Sequence, residues 1–303
     1  MAIFLEDTAV AKKETFSLNE CTEAIEYGCH SLNESIAYSE AAWQNIIITS
    51  MKEEYKVLSE AKETGDEEAK KSGIGEAIKT FFKRVIEWVK RMFIKIKDFV
   101  KSVWDKLTDL GTRVQDFAKK HEKEIRAGGA NCETTVTINK WKNGIPFVDV
   151  IANTFKSGKF SDLEAVDAAM KRFIEEEGTT EVAVKDVAGT AIEGALKAGH
   201  ATKGIVANIK AIEKPLKETD KAANEGLNAN DEAKAQKAKE KVEKGKTEVN
   251  TNSKMASTCV KLVTRALKDA HKVNVAAFKN SKAGAKSAKV AEKEAKKTEK
   301  ADK

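Results

Sequence analysis

The hydrophobic pattern of the chain is dominated by one stripe. Ile78, Phe82, Val85, Val89, Met92, Ile96, Phe99, Val103, Leu107, Leu110, Val114 and Phe117 recur at steps of three and four. That spacing keeps all twelve on one face of a helix for about eleven turns. Phe81, Trp88, Phe93 and Trp104 widen the face. A two-helix seam needs only a narrow stripe, so the breadth leaves apolar surface over for a protein neighbour or a membrane. The consecutive four-residue steps at Val103 and Leu107 have the form of a stutter, which locally unwinds a supercoil.

Weaker helical patterns flank this stripe. Ile25, Cys29, Leu32, Ile36, Trp43, Ile47 and Leu58 predict a helix beginning at the capping box of Ser17 and Glu20. Gly65, Gly73 and Gly75 predict a loop between the two helices, and Gly128–Gly129 a stop after the second. Residues 131–155 switch to alternation: Thr134, Val136 and Ile138 alternate with Thr135, Thr137 and Asn139, then come the turn signal Asn143-Gly144 and Ile145 to Ile151. They predict a small β-hairpin. Ser161 to Glu164 is a second capping box, opening a helix to about Glu177. The Ala/Gly/Val-rich run 179–213 reads as helical, with Pro215 ending it.

These elements predict a mainly α protein, an elongated helical hairpin or bundle with one long amphipathic helix, a small β-hairpin element and a basic low-complexity tail. The expected organisation is a leader over 1–16, a long helical hairpin over 17–127 and a small mixed region over 128–215. A polar helix or linker over 216–253, an amphipathic helix over 254–278 and a Lys/Ala-rich tail over 279–303 follow. Two prolines in 303 residues, 34% charged and only 6% aromatic side chains fit long solvated helices better than a compact α/β enzyme.

Charge is segregated along the chain. Residues 1–75 carry 15 acids against seven lysines; residues 79–106 carry nine Lys/Arg against Glu87, Asp98 and Asp105. The basic helix therefore faces an acidic N-terminal helix, and packing between the two is expected. The last 25 residues hold nine lysines and four acids. If helical, Lys282, Lys286, Lys289, Lys293, Lys296 and Lys300 share a face. Such a face can track a phosphate backbone by counterion release without reading sequence.

Chemistry-bearing residues are sparse. Cys21, Cys29, Cys132 and Cys259 show no CxxC spacing, and His121, His200 and His271 stand alone; Cys29-His30 is the nearest approach to a nucleophile–base pair. No catalytic, cofactor or metal site is expected, and reduced thiols are. The N-terminal segment turns acidic too soon for a secretory signal, and no run of about 18 uncharged apolar residues exists to span a bilayer.

An acidic helical start, then Thr80-Phe-Phe-Lys-Arg-Val-Ile-Glu-Trp-Val-Lys-Arg-Met-Phe-Ile-Lys-Ile-Lys, then Thr135-Val-Thr-Ile-Asn-Lys-Trp: in this order residues 1–150 resemble virion structural proteins of large tailed bacteriophages of Gram-positive hosts. The resemblance implies a non-enzymatic component of a phage particle, located in the virion and, during assembly, in the host cytoplasm. An internal position in the capsid would place the tail beside DNA. Its partners would be other virion proteins or further copies of itself, met by the packing face of Ile78, Phe82, Val85, Val89, Met92, Ile96, Phe99, Val103 and Leu107. The same basic amphipathic helix, residues 76–120, also has the make-up of a membrane-surface helix, the alternative reading.

Overall fold

The computed structural model describes residues 3–64, 67–156, 160–210, 212–229 and 231–281. Its elements are α1 (Ile3–Thr64), α2 (Glu67–Lys120), α3 (Glu122–Gly129), β1 (Thr135–Trp141), α4 (Val148–Thr154), α5 (Leu163–Met170), β2 (Ile174–Ala183), α6 (Val184–Lys210), α7 (Glu213–Leu227) and α8 (Glu232–Asn280). The protein is mainly α with one two-stranded antiparallel sheet.

α1 and α2 form an antiparallel hairpin. On α1 the buried positions run Cys21, Ile25, Cys29, Leu32, Ile36, Ser39, Trp43, Ile46 and Ser50, in steps of three and four. They meet the α2 stripe, which is buried from Phe82 to Phe117. α6 and α8 pack on the C-terminal half of α2, and α7 and the start of α8 on its N-terminal half. The broad face of α2 is thus divided among four helices of its own chain.

α8 changes character along its length without breaking. Between Ala235 and Val249 only Ala235, Ala238, Val242, Gly245 and Val249 are buried, a stripe on an otherwise polar helix. From Val249 to Phe278 nearly every side of it is covered, by α1, α2, α3, α4, α5, α6 and β1. Ser253, Ala256 and Ser257 are small enough to let these neighbours approach. Its start is capped by Asp231, whose carboxylate accepts from the Lys234 N–H at 2.8 Å.

Several boundaries differ from the sequence reading. α1 is already helical from Ile3 and passes through Ser17, where a leader and a helix start were expected. α2 begins at Glu67, so Gly73 and Gly75 lie inside a helix. A Cβ on Gly73 would stand 2.6 Å from Val57 Cγ1, so this glycine serves the close approach of α1 and α2. α2 ends at Lys120, short of the expected stop at Gly128–Gly129, because His121 leaves helical geometry and α3 starts after it. Gly128 does mark a terminus, but it also packs: its Cβ would sit 2.0 Å from the Ala277 carbonyl oxygen on α8.

The β-element forms with a different partner. β1 pairs antiparallel with β2, from Thr135 opposite Ala183 to Trp141 opposite Ile174, with an irregularity between Asn139 and Trp141. The expected second strand, 145–151, instead leads into α4. Gly144 does adopt the turn conformation (φ +74°) that Asn-Gly predicts. Beyond it Val148, Ile151 and Phe155 are buried at helical steps of three and four, and this 3.6-period outweighs β-branching. The expected helix from Ser161 to Glu177 stops at Met170, and β2 takes its end. Asp162 caps α5, accepting from the Ala165 N–H at 2.8 Å, and these hydrogen bonds hold its carboxyl below the usual range. Pro215 does not end a helix; it occupies the first turn of α7, where its missing N–H is tolerated.

Candidate assembly interface

The residues singled out for helix packing all lie on the inner face of α2. Phe82, Val85, Val89, Met92, Ile96, Phe99, Val103 and Leu107 are buried, and Ile78 is half-buried. Their neighbours belong to the same chain. Val103 meets Gly28 of α1, where a Cβ would approach its Cγ2 to 2.9 Å. Phe82 sets the tip of its ring against Gly226 of α7, where a Cβ would stand 2.1 Å from Cζ. Phe81 contacts Phe82 and Trp43 edge-on, and Trp43 in turn meets Trp88 at 5.5 Å between centroids. Trp88 donates its indole N–H to Ser39 Oγ at 2.9 Å, which satisfies the one polar atom of the ring. Glu40 accepts from both Lys246 and Asn250, tying α1 to α8 beside this aromatic group.

With the inner face occupied, the surface features are on the outside of the hairpin. Tyr38 is 66% exposed, Met51 64%, Tyr55 74% and Ile94 57%; Tyr27, Ile48, Leu58 and Phe93 are exposed as well. Single exposed apolar side chains are ordinary, but all eight of these fall on two adjacent helices. Between those helices runs an open groove of about 910 Å³, its floor made by Ile46, Trp88 and Met92. Tyr38, Ala41 and Asn45 line the α1 bank; Arg84, Arg91, Ile94 and Lys95 line the α2 bank. Arg84 reaches Glu53 of α1 at 3.0 Å, and Arg91 its own Glu87 at 3.8 Å. Lys90, Lys95, Lys97 and Lys101 have no carboxylate partner among the described residues. The signal for this surface was present in the sequence as Tyr27, Tyr38, Ile48, Met51 and Tyr55, off the main stripe of α1.

The residues considered for chemistry are dispersed. Cys29 is buried, with burial pushing its thiol up to about 12, whereas His30 is exposed and faces Glu34 at 3.5 Å. The two do not form a nucleophile–base pair. Cys259 is likewise pushed up to about 12 by burial. Cys21 donates a weak hydrogen bond to Asp109 Oδ2 at 3.6 Å, and desolvation raises it too. Among the described residues no group of three or more His, Cys, Asp and Glu is placed to hold a metal ion. No described helix is long and apolar enough to cross a membrane. Lys282, Lys286, Lys289, Lys293, Lys296 and Lys300 lie outside the described residues.

Two buried polar groups belong to the fold. Asp269 Oδ2 accepts from the Asn139 backbone N–H at 2.9 Å, from Asn139 Nδ2 at 2.8 Å and from Trp141 Nε1 at 2.8 Å, which fastens β1 to α8. Among the described residues neither ring nitrogen of His271 finds a hydrogen-bond partner, and the ring packs edge-on against Phe117 at 5.0 Å. Burial pushes its imidazole down to about 4, so it is neutral at pH 7. Compared with known proteins, the chain matches no family model, no curated protein and no solved structure.

Proposed function

We propose that this protein is a non-enzymatic structural component of a bacteriophage particle, acting through helix surfaces that hold neighbouring proteins together. One observation carries the assembly reading: the hairpin presents large apolar and aromatic side chains outward after its inner face has been filled by its own chain. Such a surface suits attachment better than catalysis. The phage context comes from the resemblance of residues 1–150. In this reading the lysine tail lies against packaged DNA, held by phosphate charge alone.

Membrane action through residues 76–120 is the less supported reading. The stripe that would enter a bilayer is occupied, so Phe82, Met92 and Phe99 would have to leave α1, α7 and α8 before reaching lipid.

Mass spectrometry of density-purified particles tests the proposal. The protein should co-purify at a fixed copy number and resist removal by high salt; its absence from particles refutes a virion role. For the tail, truncation after Ser281 should abolish sequence-independent DNA retention at about 50 mM salt. Equal retention by the shortened chain would exclude the tail as the DNA contact.

A further inference from the structure

The outward face of the hairpin is electrically two-sided. On α1, residues 20–45 hold five carboxylates (Glu20, Glu23, Glu26, Glu34 and Glu40) and no lysine or arginine. On α2, residues 83–101 hold seven cations against Glu87 and Asp98. The two segments thus carry −5 and +5; Glu34 of α1 stands across the open groove from Arg91 and Lys95 of α2, while Glu20, Glu23 and Glu26 continue the acidic line of α1 past Gly28, level with Val103 to Asp109 of α2. Glu40 and Arg84 have partners within the chain, but Glu23, Glu26, Lys90, Lys95, Lys97 and Lys101 have none among the described residues. Tyr38 and Ile94 stand exposed on opposite banks of the groove.

We infer that this face binds a second copy of the chain, two hairpins meeting about a two-fold axis with α1 of each lying on α2 of the other. Three features select a second copy over other occupants. A two-fold operation carries the acidic bank of one hairpin onto the basic bank of the next, so one patch is complementary to itself. The apolar residues lie on both banks, as an isologous contact requires. The size also suits: 26 residues of helix are about 39 Å long, and two adjacent helices are about 20 Å wide. That offers on the order of 800 Å² per partner, the usual area of a specific interface. A DNA backbone or an anionic bilayer would use the lysines and leave the carboxylates of α1 facing like charge.

The inference concerns association in solution and holds or fails independently of whether the protein enters a particle. The test uses the full chain in sedimentation equilibrium at about 50 mM salt, where surface charge is weakly screened. The wild type should show twice its 33.2 kDa mass, with dissociation promoted by 500 mM salt. Two charge-swapped variants are then made, Glu23→Lys with Glu34→Lys on α1, and Lys95→Glu with Lys101→Glu on α2. All four side chains are exposed, so circular dichroism should register unchanged helix content. Each variant alone should be monomeric, its dimer weakened at least tenfold. Mixed one to one, they should form a heterodimer, because every contact between them is again of opposite sign. A wild type that stays monomeric up to about 100 μM, or variants that dimerise unmixed, would overturn the inference. So would a monomer that floats with phosphatidylglycerol vesicles, which would assign the face to lipid.

Discussion

Acid should loosen this protein through one side chain. His271 is buried on α8, has no hydrogen-bond partner on either ring nitrogen among the described residues and packs against Phe117 of α2. Its imidazole titrates near 6.5 in the unfolded chain and is pushed down to about 4 in the fold by desolvation. The unfolded chain therefore binds more protons between those two values, so stability falls as pH drops through that window. The difference of about 2.5 pH units corresponds to on the order of 3 kcal/mol, complete near pH 4 and absent above about pH 6.5. That is a sizeable share of an ordinary folding free energy. Urea unfolding followed by circular dichroism at pH 7, 6, 5 and 4 measures it. His271→Leu, which keeps an apolar side chain in the same space, should flatten the loss over that window by about the stated amount while leaving stability at pH 7 within about 1.5 kcal/mol. An equal acid loss in the variant would refute the assignment of the titration to His271.

Other perturbations follow from the packing. The double change Phe82→Asp and Phe99→Asp places two unpaired carboxylates in the core and should unfold the hairpin, visible as lost helix signal; a folded variant that has lost only partner binding would contradict the buried placement of α2. Gly128→Ala drives a methyl into the Ala277 carbonyl, which is backbone and cannot swing away, so the midpoint of thermal unfolding should fall by several degrees; an unchanged midpoint would show that α3 is not seated on α8 as described. Asp269→Ala orphans three donors on Asn139 and Trp141 and should cost about 3 kcal/mol in chemical unfolding, with Trp141 fluorescence shifted to the red; an unchanged tryptophan spectrum would contradict the clamp.

What the sequence made legible was whatever a single helix face records. The stripe from Ile78 to Phe117 is continuous because α2 keeps one side inward for most of its length, and its breadth already exceeded a two-helix seam without showing which segments would cover it. The charge contrast between α1 and α2 was equally plain. Less legible were features set by distant chain segments. Gly73 and Gly128 read as breaks because a glycine signals a turn as readily as a close approach, and only Val57 and Ala277 distinguish the two. The segment Ile145–Ile151 is β-branched and follows a turn, yet burial of Val148, Ile151 and Phe155 makes it a helix. The strand partner of β1 lies beyond two intervening helices, a pairing that no local pattern encodes. Asp269 and His271 fall in a segment that reads as an amphipathic helix with one polar side, whereas burial all round α8 arises from seven other elements.

The apolar face of α2 is satisfied within its own chain, and in the proposed function attachment falls to the outward surface of the hairpin. Amide hydrogen exchange of the dilute protein without lipid or partner tests this most directly. Residues 82–107 should be protected by a factor of about 10⁴ or more, as core helices are in domains of ordinary stability. Exchange of that segment within seconds, with protection gained only on adding vesicles or another protein, would contradict the account.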